Sequence, residues 1–548
     1  MLPVLLIALA PWPLAAQTAP ATYWVQFKDK AHTPYGLDAP EAFLSQRAIE
    51  RRQRQQIPID SLDLPVDPAY IAQLRAAGDI TVLHVSKWFN AATIRSTDTL
   101  ALDSLGLLPF VNVVQLTLDG KPRPHRQSGK FPLPKLYEED YGKSFRQIEM
   151  LNGHLLQQLA GAKGQGMLIG VLDSGFEHAD LLPGLSALRA RNGIVITRDL
   201  VVPGGNVYDA HYHGRSVLSV MAGYVEGQLT GTAPLADYAL VRTEDAASEY
   251  RVEEDNWVAG AELCDSLGCD VLNTSLGYST FDDPAQDHTY ADMDGQTSRM
   301  SVAAGIASRK GMVVVNSAGN SGQLPWHYIT APADAFDILA VGAVDTARQS
   351  VPFSSRGPAA DGRVKPDVCA MGLRTVGLDG AGWNVGHISG TSFSAPLVAG
   401  LSACLWQLHR NRTAHDIMDA IRRSASRYDR PDDSLGYGIP DFWRAHLLLG
   451  GRDITGLSSP TALGVVPNPF TDFLDVEVFT GGETRMEISL HDLLGQLLWS
   501  TPVTGLEPHT YAHVRVHDAL LTRLRAGTYI IRVKVGGSRI TRRVVKAR

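Results

Sequence analysis

Gly390-Thr391-Ser392-Phe393-Ser394-Ala395-Pro396, continued by Leu397-Val398-Ala399-Gly400-Leu401, is the stretch on which the reading of this chain turns. A small-residue turn presents a hydroxyl, a proline follows four residues later, and an apolar run continues beyond it. That pattern sets a serine in the first turn of a buried helix, where free backbone N–H groups and the helix dipole favour a developing oxyanion. Alone, a Gly-Thr-Ser turn is more often a plain helix cap. A serine hydroxyl becomes a nucleophile only when a base takes its proton. The stretch therefore gains meaning only beside a histidine and a carboxylate in suitable contexts.

Both are present. Met167 to Gly175 reads as a buried parallel strand that ends in Asp173, and the carboxyl ends of such strands are where open α/β sheets place functional groups. His213-Gly214-Arg215-Ser216 opens an apolar helical stretch through Gly223. Met312 to Asn320 is another buried strand, delivering a side-chain amide at its end. Singly, each of these residues has a blander reading, as a turn former or a loop histidine. Together, the chain order Asp173, His213, Asn320, Ser392 resembles that of subtilisin-type peptidases.

The resemblance runs from about Tyr141 to Leu449. It includes Asp270 to Gly277, Ala340 to Asp345, Phe353 to Pro358, Lys365 to Val368 and Gly436 to Gly438, in the order found in subtilases. It implies an α/β, three-layer, subtilisin-like domain with a mostly parallel central sheet. It also implies a serine endopeptidase in which Ser392 attacks, His213 is the base, Asp173 orients it, and Asn320 with the Ser392 N–H stabilises the oxyanion. Ser275, Leu276, Gly277, Ser317, Ala318 and Gly319 are expected to line the substrate cleft, with Thr330 on the floor of the pocket for the residue before the scissile bond. With no charge on that floor, an uncharged residue is expected there. One departure stands out: where the family places a second histidine, this chain has Ser216, preceded by Arg215. The alternative reading is a non-catalytic surface or adhesion protein on the same scaffold.

At 548 residues the chain needs several domains. With 57 acidic and 50 basic residues and a net charge of −7, it offers no electrostatic case for nucleic-acid binding. No run after the N-terminus approaches the length of a membrane span. Residues 1–16 read as a signal peptide. Residues 17–120, with strands at Tyr23 to Phe27, Ile80 to Val85, Ala92 to Arg95 and Val111 to Leu118, and helices at Glu41 to Gln55, Asp67 to Ala77 and Asp98 to Leu105, form a small α+β unit. Its position resembles that of a subtilase propeptide, acting in cis on its own protease. Residues 121–140 read as a processing connector, 141–450 as the peptidase domain and 451–460 as a linker. Residues 461–548 read as a β-sandwich, with strands at Leu474 to Phe479, Arg485 to Leu490, Gln496 to Trp499, Ala512 to Val516, Tyr529 to Val535 and Ile540 to Val545. Its Val466 to Phe470 opening and Ala526-Gly527-Thr528-Tyr529 resemble the C-terminal sorting domain of type IX secretion. That resemblance implies the secretion machinery as partner and a destination at the cell surface or beyond.

The four cysteines define no framework. Cys264 and Cys269 flank a helix-to-strand turn and stand as either a local disulfide or two thiols; Cys369 and Cys404 read as buried thiols. No cofactor is required by this reading. Calcium has weak support: Gly223 to Ala233 holds one carboxylate, Glu226, and Asp292-Met293-Asp294-Gly295 reads as a solvated turn.

Overall fold

The computed structural model describes residues 20–119, 141–158, 160–380, 383–450, 461–466, 468–480, 482–506 and 511–547. The signal segment, the processing connector and the linker before the last domain lie outside them.

The central unit is built on seven strands, in spatial order Val368–Met371, Leu339–Val344, Val313–Ser317, Val271–Thr274, Leu168–Asp173, Asp237–Arg242 and Ile194–Asp199. Every neighbouring pair is parallel. Buried on both faces, such strands need an apolar side chain at nearly every position rather than an alternation. In Leu168–Asp173, Ile169 and Val171 enter the core on one face while Leu168 and Leu172 enter the core on the other. The first of these cores also receives the histidine helix, His213–Ala222, and the serine helix, Thr391–Leu408, buried from Thr391 to Trp406. The second receives the helices Val252–Leu267 and Arg299–Arg309. The fold is thus the three-layer, subtilisin-like α/β arrangement, with a sheet that is wholly parallel.

The N-terminal unit is a four-stranded antiparallel sheet in the order Ile80–Ser86, Ala91–Ser96, Ala21–Phe27, Val111–Leu118. Its helices pack through Tyr70, Leu74 and Leu105. One expectation fails here. The helix anticipated over Glu41 to Gln55 starts only at Gln46, after a short turn at Pro40–Ala42. Ser45 caps it by accepting from the Ala48 N–H at 3.1 Å, and its own N–H donates to Ser266 of the central unit at 2.9 Å. The unit docks on the helix Val252–Leu267, with Trp88 inserted into the second core. Arg299 lies 4.5 Å over the Trp24 ring.

The C-terminal unit is a sandwich of a three-stranded and a four-stranded sheet around Phe470, Leu474, Val476, Ile488, Ile531 and Val533. A strand at Thr461–Val466 was not anticipated, and the one expected over Gln496 to Trp499 runs Leu497–Thr504. Pro502 is tolerated because that strand is at the sheet edge. All four cysteines are buried thiols, including the neighbours Cys264 and Cys269.

Candidate active site

Asp173 closes its strand fully buried, and its Oδ1 lies 2.8 Å from Nδ1 of His213, the first residue of the histidine helix. Gly214 makes this approach feasible: a Cβ there would come 2.5 Å from the Gly175 carbonyl and 2.7 Å from the Asp173 Cβ. A side chain at that position would drive the helix away from the carboxylate. The Ser174 N–H also donates to Asp173 Oδ1, at 2.8 Å.

Ser392 sits in the first turn of the serine helix, where N–H groups lack intrahelical acceptors. Its hydroxyl donates to the Ser275 carbonyl at 3.1 Å, and the Ser275 hydroxyl donates back to the Ser392 carbonyl at 2.9 Å. Pro396 explains the second bond. Four residues on, it has no N–H to offer the Ser392 carbonyl, and the Ser275 hydroxyl takes the vacant acceptor. Asn320 lies beyond its strand, in the following loop. Its Oδ1 accepts from the Thr391 N–H at 2.9 Å and the Thr391 hydroxyl at 3.0 Å, which fixes the amide and turns Nδ2 away from them. Gly390 keeps the space in front open: its φ is 148°, and a Cβ there would fall 3.6 Å from Asn320 Nδ2 and 3.7 Å from the Ser392 N–H. Asn320 Nδ2 and the Ser392 nitrogen thus lie within 3.7 Å of one point beside Gly390.

A cleft of about 570 Å³ runs from this point. Ser275, Leu276, Gly277, Ser317, Gly319, Asn320, Thr330 and Ser392 line it, bringing together nearly all the residues expected there. Ala318 is the exception. Its side chain is buried with Ile329 and Ala333, because successive residues of an extended segment face opposite ways. Gly277 and Thr330 are in close contact: a Cβ on Gly277 would meet Thr330 Oγ1 at 2.2 Å.

Several neighbours escaped the sequence reading. His211 Nδ1 is 2.9 Å from the Ser174 hydroxyl, which is 3.3 Å from Asp173 Oδ1, and the His211 ring is near-parallel to that of His213. Burial, then the neighbouring His213, lowers its pKa and favours the neutral ring. Arg215 is fully buried, donating to the carbonyls of Glu177, Asp379 and Gly380. It ties two loops together at the one place where the sequence departs from the family pattern. At the far end of the cleft, Glu249 and Asp282 reach the lining, and Glu249 belongs to a trio with Glu244 and Glu253. A Glu at 244, 249 and 253 follows no motif spacing, and only the fold brings them together. The residues weighed for calcium are otherwise engaged: Asp292 accepts from the Thr289 N–H and hydroxyl, and Asp294 from the Gln296 and Thr297 N–H groups. These carboxylates cap turns and do not converge on a cage.

A carboxylate at a strand end, an imidazole and a hydroxyl at two helix starts, and an amide in the loop after a strand are the groups a serine peptidase uses. Residues 164–438 match the subtilase family (peptidase S8), and the chain belongs to that family. Residues 22–130 match the peptidase S8 propeptide domain of Bacteroidota, and residues 464–547 match a secretion system C-terminal sorting domain. The membrane-bound transcription factor site-1 protease of Mus musculus is 27% identical over 354 residues, covering 62% of this chain and 30% of that protein. Subtilisin E of Bacillus subtilis is 28% identical over 329 residues, covering 58% of this chain and 76% of that protein. The chain therefore spans less than a third of the length of the site-1 protease it matches. Among solved structures, MycP1 from the ESX-1 type VII secretion system is 22% identical with a TM-score of 0.42, covering 57% of this chain and 88% of that one. Among the described residues, no helix is long and apolar enough to cross a membrane.

Proposed function

We propose that this chain is a secreted serine endopeptidase made as a zymogen. The observation that carries the reading is the 2.8 Å bond from His213 Nδ1 to buried Asp173, with the His213 ring 5.7 Å from that of Phe393, the residue after Ser392 on the serine helix. Asp173 fixes the imidazole tautomer so that Nε2 can accept a proton. Ser392 then attacks the scissile carbonyl, His213 takes its proton, and the proton passes to the leaving amine. The oxyanion that forms is met by Asn320 Nδ2 and the Ser392 N–H. No metal or cofactor takes part in these steps.

The docked N-terminal unit acts as the propeptide in cis, released by cleavage within residues 121–140. Residues 461–548 serve as the address for type IX export, and residues 1–16 are removed as a signal peptide. Labelling with a fluorophosphonate probe tests the chemistry: the processed enzyme takes the label, and Ser392→Ala does not. Equal labelling of the two would remove the mechanism. Asn320→Ala should lower turnover by ~10²–10³-fold, a magnitude carried over from a subtilisin, with substrate binding largely spared because the oxyanion forms only after attack. Truncation after Gly450 should leave an active protease while stranding it in the periplasm of a host with type IX secretion. Normal export of the truncated chain would make the last domain a binding module instead.

A further inference from the structure

His211 lies two residues before His213, in the turn that leads into the histidine helix, and is half-buried. Its segment is stitched to the chain that follows Asp173. The Phe176 N–H donates to the Val207 carbonyl at 2.8 Å, the His178 N–H to that of Tyr208 at 3.0 Å and the Glu177 N–H to that of His211 at 3.3 Å. The Tyr212 ring packs beside the His211 ring, with centroids 4.4 Å apart. The imidazole is thus held in one place, against Ser174.

Its role there follows from counting protons. Asp173 is fully buried, and its Oδ2 receives no hydrogen bond among the described residues. The carboxylate is therefore oriented through Oδ1, by His213 Nδ1 at 2.8 Å, the Ser174 N–H at 2.8 Å and the Ser174 hydroxyl at 3.3 Å. That hydroxyl has one proton. Two groups are within reach of it: Asp173 Oδ1, and His211 Nδ1 at 2.9 Å. A hydrogen bond to a charged acceptor is about twice as strong as one between neutral groups, so the proton points to Asp173 and Oγ is left to accept. Burial, then the neighbouring His213, favours the neutral His211 ring, which carries a single N–H. Were Nδ1 bare, two lone pairs would face each other across 2.9 Å. Nδ1 is therefore the nitrogen that carries the proton.

We propose that His211 is a positioning residue whose Nδ1–H donates to Ser174 Oγ and so holds the Ser174 proton on Asp173. The line runs from His211 through Ser174 and Asp173 to His213. Without that N–H the hydroxyl is free to rotate, and Asp173 loses one of the three donors that set its angle to the base. The inference rests on the reading of His213 as base and Ser392 as nucleophile, and extends it to a second histidine.

The test compares processed full-length enzyme carrying His211→Asn or His211→Leu on one fluorogenic peptide. The two replacements share a branched shape, and only Asn offers an N–H donor near the place of Nδ1. His211→Leu should lower kcat about three- to tenfold, the range of one hydrogen bond, with KM changed by less than about twofold. His211→Asn should recover kcat to within about twofold of the unsubstituted enzyme. In a Ser174→Ala background the Asn and Leu variants should be alike, because the hydroxyl through which the residue acts is gone. Equal kcat for Asn and Leu with Ser174 present would overturn the proposal, as would a difference between them that persists undiminished in Ser174→Ala. A rise in KM with kcat untouched would also overturn it, placing His211 in the wall of the cleft. His211→Ala takes the place of Leu where that variant fails to fold. Each of these outcomes leaves the peptidase reading intact, whereas an unsubstituted enzyme that cleaves no peptide and takes no fluorophosphonate label would overturn both.

Discussion

The helix Val252–Leu267 buries acidic residues at both ends, and Asp265 and Glu253 solve the problem in opposite ways, although Glu253's neighbours Glu254 and Asp255 pair with His288 and Arg299. At its C-terminal end, fully buried Asp265 meets the guanidinium of fully buried Arg51, that of Arg52 at 2.9 Å and the Lys87 ammonium at 3.1 Å, all from the propeptide unit. Arg52 also reaches Asp63 at 2.6 Å, and Lys310 reaches Asp63 at 2.9 Å and Asp60 at 2.8 Å. Glu262, one turn back, accepts from the Lys87 N–H at 2.7 Å and the Ser86 hydroxyl at 2.5 Å. At its N-terminal end, Glu253 lies among two more carboxylates and, among the described residues, forms no ion pair. The lesson is that a buried carboxyl can be matched by a cation from another part of the same chain or kept neutral by holding its proton. The first makes an interface, the second a pH-sensitive cluster.

The largest effect comes from breaking the matched end. Asp265→Leu leaves Arg51, Arg52 and Lys87 buried without their shared counter-ion. Removing one partner of a buried pair typically costs ~3–5 kcal/mol. In a Ser392→Ala background, which keeps the propeptide attached, cleavage of the N-terminal unit by an added protease should accelerate by about 10²–10⁴-fold. Glu253→Gln in the same background should not produce such release. If both variants behaved alike, the two ends would not differ as described.

The second effect is in the response to pH, and its sign differs between Asp265 and Glu244. Burial alone would raise Asp265, but Lys87, Arg51 and Arg52 outweigh it and hold its carboxyl well below the ordinary 3.8. Its contribution is therefore present above that ordinary value and lost as pH falls below it. Glu244 goes the other way: burial, then the nearby Asp173, pushes it from 4.5 to about 7. Burial and the neighbouring carboxylates also push Glu249 and Glu253 well up. Stability drawn from protonated Glu244 is full below about 4.5 and lost as pH rises through about 7. The thermal midpoint of the free enzyme should thus drop by about a few degrees between pH 5.5 and 8, and Glu244→Gln should flatten that drop. An unchanged slope in Glu244→Gln would place the titration elsewhere.

What the sequence made legible follows the same division. Asp173, His213, Asn320 and Ser392 could be found because each sits in a contiguous run whose local pattern dictates a strand end or a helix start. Most strands of the flanking units were legible for the same reason, since they alternate or are bounded by turns. The Glu trio was not legible: Glu244 and Glu249 lie in a loop, Glu253 begins a helix, and Tyr278 arrives from beyond a different strand. His211 was hidden because its link to Asp173 runs through the hydroxyl of Ser174. Arginines at 51 and 52 were visible as a basic helix, yet only docking shows them buried against an acidic helix. Composition reveals charge; the fold decides whether it faces water, a partner or a vacancy.

The smallest effect separates ion pairs by exposure. Interactions of solvent-exposed charges weaken with ionic strength, whereas buried pairs are screened much less. Arg51, Arg52 and Asp265 are shut away from solvent, so propeptide docking should barely respond to sodium chloride. Arg47, which pairs with Asp270 at the same interface, keeps 35% of its side chain exposed. Raising the salt from 0.05 to 0.5 M should therefore change the rate of protease-triggered release in Ser392→Ala by only about two- to threefold. An increase of tenfold or more would mean that the exposed pairs carry the docking and the buried cluster does not.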